Sequence, residues 1–277
     1  SLASGVASLD LAMQEEGYVP VCYVEIDPFC QSVLLARMRS GGLHTAPIWP
    51  DLRTFPGRAW RGAVDCVVAG FPCPPFSVAG RRLGGADPRN LWPAVRRCIA
   101  QVRPAHIFLE NVPGIVQSGD GREPYAVTII SQLMRLGYVG RTCVVGARDV
   151  GAPHRRDRWF LLAHASGQGL EDRRGYSKKR QSQPECVRVL PEFPPGPDDR
   201  DAWARVLATS PELAPAIDGK LNPAFVEWLQ GFPRDWTVAP GATRARRLKA
   251  LGNAVVPAQA VLAGRMLGGH DAAQAWR

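Results

Sequence analysis

The chain has 277 residues, 45% of them hydrophobic and 21% charged, the balance of a folded globular protein rather than a disordered or fibrous one. No apolar run reaches about 18 residues and no signal-peptide pattern opens the chain, which argues against a helical membrane span and a secretory leader. The net charge of +9 favours a polyanionic partner, although a basic surface kept for solubility fits it equally well.

The chain opens at SLASG without a Met, almost on a glycine turn, so the strand expected before that turn is barely present and the sequence reads as trimmed. ASGVASLDLA then carries the turn into a helical pattern, SLDLAMQEE (8–16). Such a turn lets the backbone approach a ligand at the helix N-terminus. CYVEID (22–27) reads as the next strand and ends on Glu25, about twenty residues on, where an acid commonly holds a ribose hydroxyl. A plain turn with a surface carboxylate accounts for the same residues.

PFCQSVLLARM (28–38) is helical by spacing, and VDCVVAG (64–70) is a strand. GFPCPPFS follows directly, setting Cys73 among Pro72, Pro74 and Pro75. Open α/β sheets place ligands at such strand ends, and prolines lower the entropy lost on positioning a thiol. A structural turn with an incidental cysteine is the alternative. NLWPAVRRCIAQV (90–102) and YAVTIISQLMRL (125–136) continue as helices, with Pro93 tolerated in a first turn. Between them HIFLENV (106–112) is a strand that presents Glu110 and Asn111 at its end. A carboxyl there serves as a proton donor if its surroundings raise its pKa, or else as a cap or ion-pair partner.

TCVVGA (142–147) and RWFLLAH (158–164) complete the strands, the second preceded by GAPHRRDR. Period-two spacing puts Arg156 and Arg158 on one face, where guanidiniums need an anionic or carbonyl-rich partner. Alternation of near-continuously apolar strands with helices predicts a doubly wound, mostly parallel α/β sheet covered on both faces. From Ser166 the chain turns polar and basic, with a Pro-rich stretch at 191–199. Regularity returns at LNPAFVEWLQGFPRDW (221–236) and RARRLKALGNAVVPAQAVLAGRML (244–267). The seven cysteines (22, 30, 66, 73, 98, 143, 186) contain no C-x-x-C pair, so neither a zinc site nor a disulfide scaffold is indicated, and a reducing cytoplasm fits best.

Taken in order, ASGVASLDLA, YVEIDP, PDL (50–52), GFPCPPFS, DPRNLW (87–92), FLENVPGI, GAPHRRDR, LQGFPRDW and LGNAVVP resemble the cytosine carbon-5 DNA methyltransferase family over nearly the whole chain. The resemblance implies a Rossmann-like, methyltransferase-type sheet with a small target-recognition insert. Residues 1–165 would form the catalytic and cofactor-binding domain, 166–237 the recognition region and hinge, and 238–277 a segment returning to the catalytic domain. It also implies S-adenosylmethionine as cofactor, no metal, double-stranded DNA as partner, a monomer, and the cytoplasm of a bacterial or phage-infected cell. Its residue roles are Cys73 as nucleophile on ring carbon 6, Glu110 at ring nitrogen 3, Arg158 on the base carbonyl and Arg156 supporting the loop. The cofactor would be held by Ser4, Gly5, Glu25, Asp51, Leu52, Pro72 and Asn253, with Leu91 and Trp92 nearby. The chain departs from the family's usual pattern at Leu2, where an aromatic often packs, and at Ala7–Ser8, which replace a glycine pair. Pro74 and His154 each stand for a usual Gln. The rival readings are an RNA (tRNA) cytosine methyltransferase on the same scaffold and a non-catalytic nucleic-acid-binding homologue.

Overall fold

The computed structural model describes residues 1–72, 90–117, 123–166 and 193–268. Its centre is one twisted sheet. Strands β1 (Tyr23–Val24), β2 (Ile48–Trp49), β3 (Cys66–Gly70), β4 (His106–Asn111), β5 (Tyr138–Val145) and β6 (Arg158–Ala165) supply it. β1 pairs β2 and β3 pairs β4, all parallel, while β6 lies antiparallel between β4 and β5. The two halves are joined by a single residue: Leu2 bridges Val24 on one side and Ala69 on the other, both in parallel sense. Leu2 is fixed there by its N–H on the Val68 carbonyl at 2.8 Å.

Local chemistry explains the helices. Asp27 caps α2 (Pro28–Arg39) by accepting from the N–H groups of Phe29 and Cys30, and Pro28 occupies the first turn, where a missing donor does no harm. α3 (Trp92–Val102) buries Trp92, Val95, Cys98, Ile99 and Val102, a stripe at helical spacing, and ends where Arg103 turns left-handed at φ 56°. α4 (Tyr125–Arg135) buries Ala126, Ile129 and Leu133 in the same manner. These two helices cover one face of the sheet, packing on Leu109, Trp159 and Leu161. α1 (Ser8–Glu15) and the C-terminal α8 (Pro257–Gly268) cover the other, packing on Val68, Phe108 and Phe160.

The remaining elements precede α8, and those from Pro223 onward pack on α2. α5 (Arg200–Thr209) buries none of its residues; a short hairpin follows, β7 (Ala216–Ile217) with β8 (Lys220–Leu221). α6 (Pro223–Leu229) and α7 (Arg244–Asn253) then bring Phe232, Trp236 and Leu251 into a cluster with Phe29, Val33 and Leu34 of α2. Burying this apolar surface, at about 25 cal/mol per Å², is what draws the C-terminal segment back onto the sheet.

Two strand expectations need correction. The run at 142–147 belongs to a longer edge strand, β5, whose residues 139–142 are exposed rather than covered. β6 is reversed, which its continuous apolar run (buried on both faces like a parallel strand) gave no means of telling. Among the described residues no helix is long and apolar enough to cross a membrane.

Candidate active site

The carboxyl ends of β3 and β4 meet the start of β6 at the floor of a cleft of about 1080 Å³. Reversal of β6 is what makes this possible, because an antiparallel strand begins where its neighbour ends. Glu110 stands opposite Gly70 on β3 and Phe160 on β6, and Arg158 lies two residues before Phe160 on the same face. The Arg158 Nε donates to Glu110 Oε1 at 2.9 Å, with the two side chains only 14% and 11% exposed. Gly70 leaves room for this pair: a Cβ there would lie 3.1 Å from Glu110 Oε2. Burial pushes the Glu110 carboxyl above its ordinary range, and the charges of Arg158 and Arg156 offset that only in part.

Arg156 goes elsewhere. Its Nη2 donates to the Gly252 carbonyl at 2.6 Å and to the Ala254 carbonyl, tying the pre-β6 loop to the LGNAVVP turn. Of the two partner types expected for these arginines, Arg158 finds the anion and Arg156 the carbonyls. Burial lowers the Arg156 guanidinium to about 10, helped by repulsion from Arg158. Gln259 of α8 holds the same loop through the Arg156 and Val145 carbonyls at 2.6 and 2.9 Å. His154, in the same loop, contacts the Leu229 carbonyl through Nε2 at 2.9 Å, and burial lowers its pKa.

At the other end of the cleft Glu25 is only 7% exposed. Its two oxygens accept from the N–H groups of Gly5 (2.6 Å) and Asp27 (2.8 Å). Burial nevertheless raises its pKa. Each carboxylate oxygen has two lone pairs, so a locked carboxylate of this kind keeps acceptor capacity for a ligand. Asp51 caps the short 3-10 helix Leu52–Thr54 through the Arg53 N–H at 2.8 Å, and Arg97 grips the Leu52 carbonyl at 2.6 Å. Pro72 follows Phe71, whose carbonyl accepts from Asn111 Nδ2 at 2.9 Å.

All seven positions expected at the cofactor line this one cleft, from Ser4 and Gly5 to Asn253, and so do Glu110, Arg158 and Leu91. Arg156 is behind the wall. Trp92 is instead a core residue, 1% exposed, with its ring 5.7 Å from that of Phe71. Cys73 lies outside the described residues; β3, Phe71 and Pro72 lead into its segment from the cleft floor. The described cysteines are held as thiols by burial, with Cys30 and Cys66 raised to about 12 and Cys98 and Cys143 to about 11. None of these four has the lowered pKa of an activated nucleophile. Two contributors escaped the sequence reading, Gly70 and Trp236, although both stand in motifs already singled out. Trp236 Nε1 reaches back to the Val6 carbonyl at 2.7 Å.

A mixed sheet with one reversed strand, a tight turn and an acid at its centre, and a cleft along its carboxyl edge define a methyltransferase-type fold. A Spodoptera frugiperda DNMT2 variant overlays with a TM-score of 0.62 at 17% identity, covering 94% of this chain and 96% of that one. A DNA modification methyltransferase encoded within an E. coli prophage gives 0.62 at 18%, covering 95% and 96%. Residues 1–202 match the family described as C-5 cytosine-specific DNA methylase, and the chain belongs to that family. It is 34% identical over 167 residues to the type II methyltransferase M.NgoMIV of Neisseria gonorrhoeae, covering 58% of this chain and 50% of that protein. It is 28% identical over 294 residues to M2.BsuMI of Bacillus subtilis, covering 92% and 71%. The chain therefore spans about half of the first relative and less than three quarters of the second.

Proposed function

We propose that this chain transfers a methyl group from S-adenosylmethionine to carbon 5 of a cytosine in DNA. The observation that carries the reading is the Glu110–Arg158 pair on the floor of the same cleft that holds Glu25 and the glycine turn. The cleft suits the cofactor: it is roomy enough for a ligand of that size, and Glu25 presents locked acceptors for vicinal hydroxyls. Ser4, Gly5, Glu25, Asp51, Leu52, Pro72 and Asn253 would hold it. When bound, the cofactor supplies an electrophilic methyl group.

The residues would do the rest. The Cys73 thiolate forms a bond to ring carbon 6, which drives an electron pair toward carbon 5. Glu110, whose pKa burial raises, donates to ring nitrogen 3 and stabilises the charge gathering there. Arg158 orients Glu110 and donates to the base carbonyl. Once carbon 5 carries the methyl group, loss of its proton to a base expels Cys73 as a thiolate, and the proton at nitrogen 3 returns to Glu110 as the ring is restored. A stacked base cannot reach the cleft floor, so the target must be flipped out of its helix. The basic composition favours the phosphate contacts that flipping requires. The same reading divides the chain into 1–165, 166–237 and 238–277, with the middle part as the recognition region.

The experiment is methyl incorporation from labelled cofactor into duplex DNA and tRNA side by side, followed by DNA carrying 5-fluorocytosine. The expected result is label in DNA and a trapped covalent complex with the fluorinated strand through Cys73. Label confined to tRNA replaces DNA by RNA as substrate, and absence of label from both with normal cofactor binding removes the catalytic reading.

A further inference from the structure

The turn that opens the cleft is wound through three left-handed positions, Ala3 (φ 49°), Gly5 (56°) and Ala7 (65°). Glycine takes such angles freely, whereas an alanine brings its Cβ against the backbone. Ala7 is also the N-cap of α1 and makes no side-chain capping bond. Within the turn the Ala7 N–H donates to the Ser4 carbonyl at 2.9 Å, which does not relieve the left-handed angle of Ala7.

Support comes from the far end of the chain. Trp236 Nε1–H donates to the carbonyl of Val6, 230 positions away, at 2.7 Å. The indole is 2% exposed and has one place to lie. Phe232 stacks on it at 6.1 Å, the Arg37 guanidinium sits over it at 5.8 Å, and a Cβ on Gly42 would come within 3.2 Å of its ring. On the other side of Ala7, the Val255 N–H donates to Ser8 Oγ at 3.2 Å. A glycine at position 8 would have no oxygen to accept that bond. The residues flanking Ala7 are thus gripped from LQGFPRDW and from LGNAVVP, the two C-terminal motifs to which the reaction itself assigns least.

We infer that Trp236 is a positioning residue for the cofactor cleft, bracing through the Val6 carbonyl a turn whose Ala7 is held in a left-handed conformation. The inference rests on the reading that this cleft holds S-adenosylmethionine. It gives Trp236 a part in shaping the cofactor site although the indole does not itself line the cleft.

The test is calorimetric binding of S-adenosylmethionine to the parent chain, Trp236→Phe, Ala7→Gly and the double variant, with circular dichroism to establish folding. Phenylalanine keeps an aromatic ring and removes the donor. Trp236→Phe should weaken binding about tenfold, and Ala7→Gly, which no longer needs the brace, should recover most of that loss in the double variant. Should Trp236→Phe fail to fold alone, Ala7→Gly is compared with the double variant: equal affinities support the brace. Parent-like binding by Trp236→Phe overturns the inference, as does a tenfold loss that persists in the glycine background, or a double variant that does not fold. Failure of the parent itself to bind the cofactor instead overturns the functional reading.

Discussion

Arg158 Nε and Glu110 Oε1 are 2.9 Å apart on strands that run in opposite directions. That geometry follows from the reversal of β6, since only an antiparallel neighbour starts beside the carboxyl end of β4. The pair is largely shielded from solvent, so its attraction is screened less than that of a surface ion pair, and each group decides the protonation and posture of the other. Removing Arg158 takes away the stronger of the two positive charges that lower the Glu110 pKa.

Arg158→Ala should therefore lower methyl transfer by on the order of 10²-fold, the cost of one preorganised donor. S-adenosylmethionine affinity should stay within about threefold, because Arg158 is not among the residues proposed to hold the cofactor and its charge is paired with Glu110. Arg158→Lys should not restore the rate, since an ammonium lacks the planar fork that serves the carboxylate and a base carbonyl together. Single-turnover methyl transfer and calorimetry on the three proteins decide the matter; a lysine variant at parental rate would contradict the orienting role.

The pH dependence has a definite sign. Burial raises the Glu110 pKa above the ordinary carboxyl value of 4.5, so the folded state retains the proton to higher pH than the unfolded chain does. The stabilisation linked to this group is present in full below the unfolded pKa and is lost as pH rises through the folded one. Because the protonated form is the donor in the proposed reaction, the single-turnover rate should fall along the same limb, above pH 4.5. Glu110→Gln, which cannot titrate, should be slower by about 10²-fold and should lose that limb. A profile with an identical descending limb in the glutamine variant would assign the titration to another group.

How much of this was legible in the chain depends on the range of the forces involved. Short-range signals were readable: Pro93 in the first turn of α3, the α3 stripe of Val95, Cys98, Ile99 and Val102, and strand ends carrying Glu25 and Glu110. The direction of β6 was not, because an apolar strand covered on both faces has the same composition whichever way it runs. The separate fates of Arg156 and Arg158 were half visible. Their spacing announced two guanidiniums in need of partners, but the carbonyls of Gly252 and Ala254 are nearly a hundred residues away. Trp236 bonding to Val6 is the extreme case, a contact made only once the C-terminal segment has folded back.

Gly70 shows how a backbone position sets the chemistry of its neighbour. An added Cβ would lie 3.1 Å from Glu110 Oε2 and 3.2 Å from Leu9 Cδ1, so one of them must move by a few tenths of an ångström. The Glu110 side chain is the freer to move, at the expense of its bond to Arg158. Gly70→Ala should lower the transfer rate about tenfold, as small misplacements at a reacting centre do. Its melting temperature should change by only a few degrees. A parental rate in Gly70→Ala would mean that the carboxyl tolerates displacement and that its position is not what limits the reaction.

Glu25 offers the sharpest separation of shape from charge. Both of its oxygens accept from backbone donors, Oε2 from the Gly5 N–H and Oε1 from the Asp27 N–H. Glutamine has nearly the same shape but one oxygen only, so its NH2 would be turned against one of those two N–H groups, leaving donor facing donor in a buried site. Glu25→Gln should thus behave nearly as badly as Glu25→Ala, weakening S-adenosylmethionine binding by about tenfold or more, while Glu25→Asp keeps both acceptors on a shorter arm and loses less. Calorimetry on the three variants gives the order directly. If glutamine bound the cofactor as well as the parent, the two backbone bonds would not be what fixes this residue, and the cofactor would have to recognise the turn by contacts other than those to Glu25.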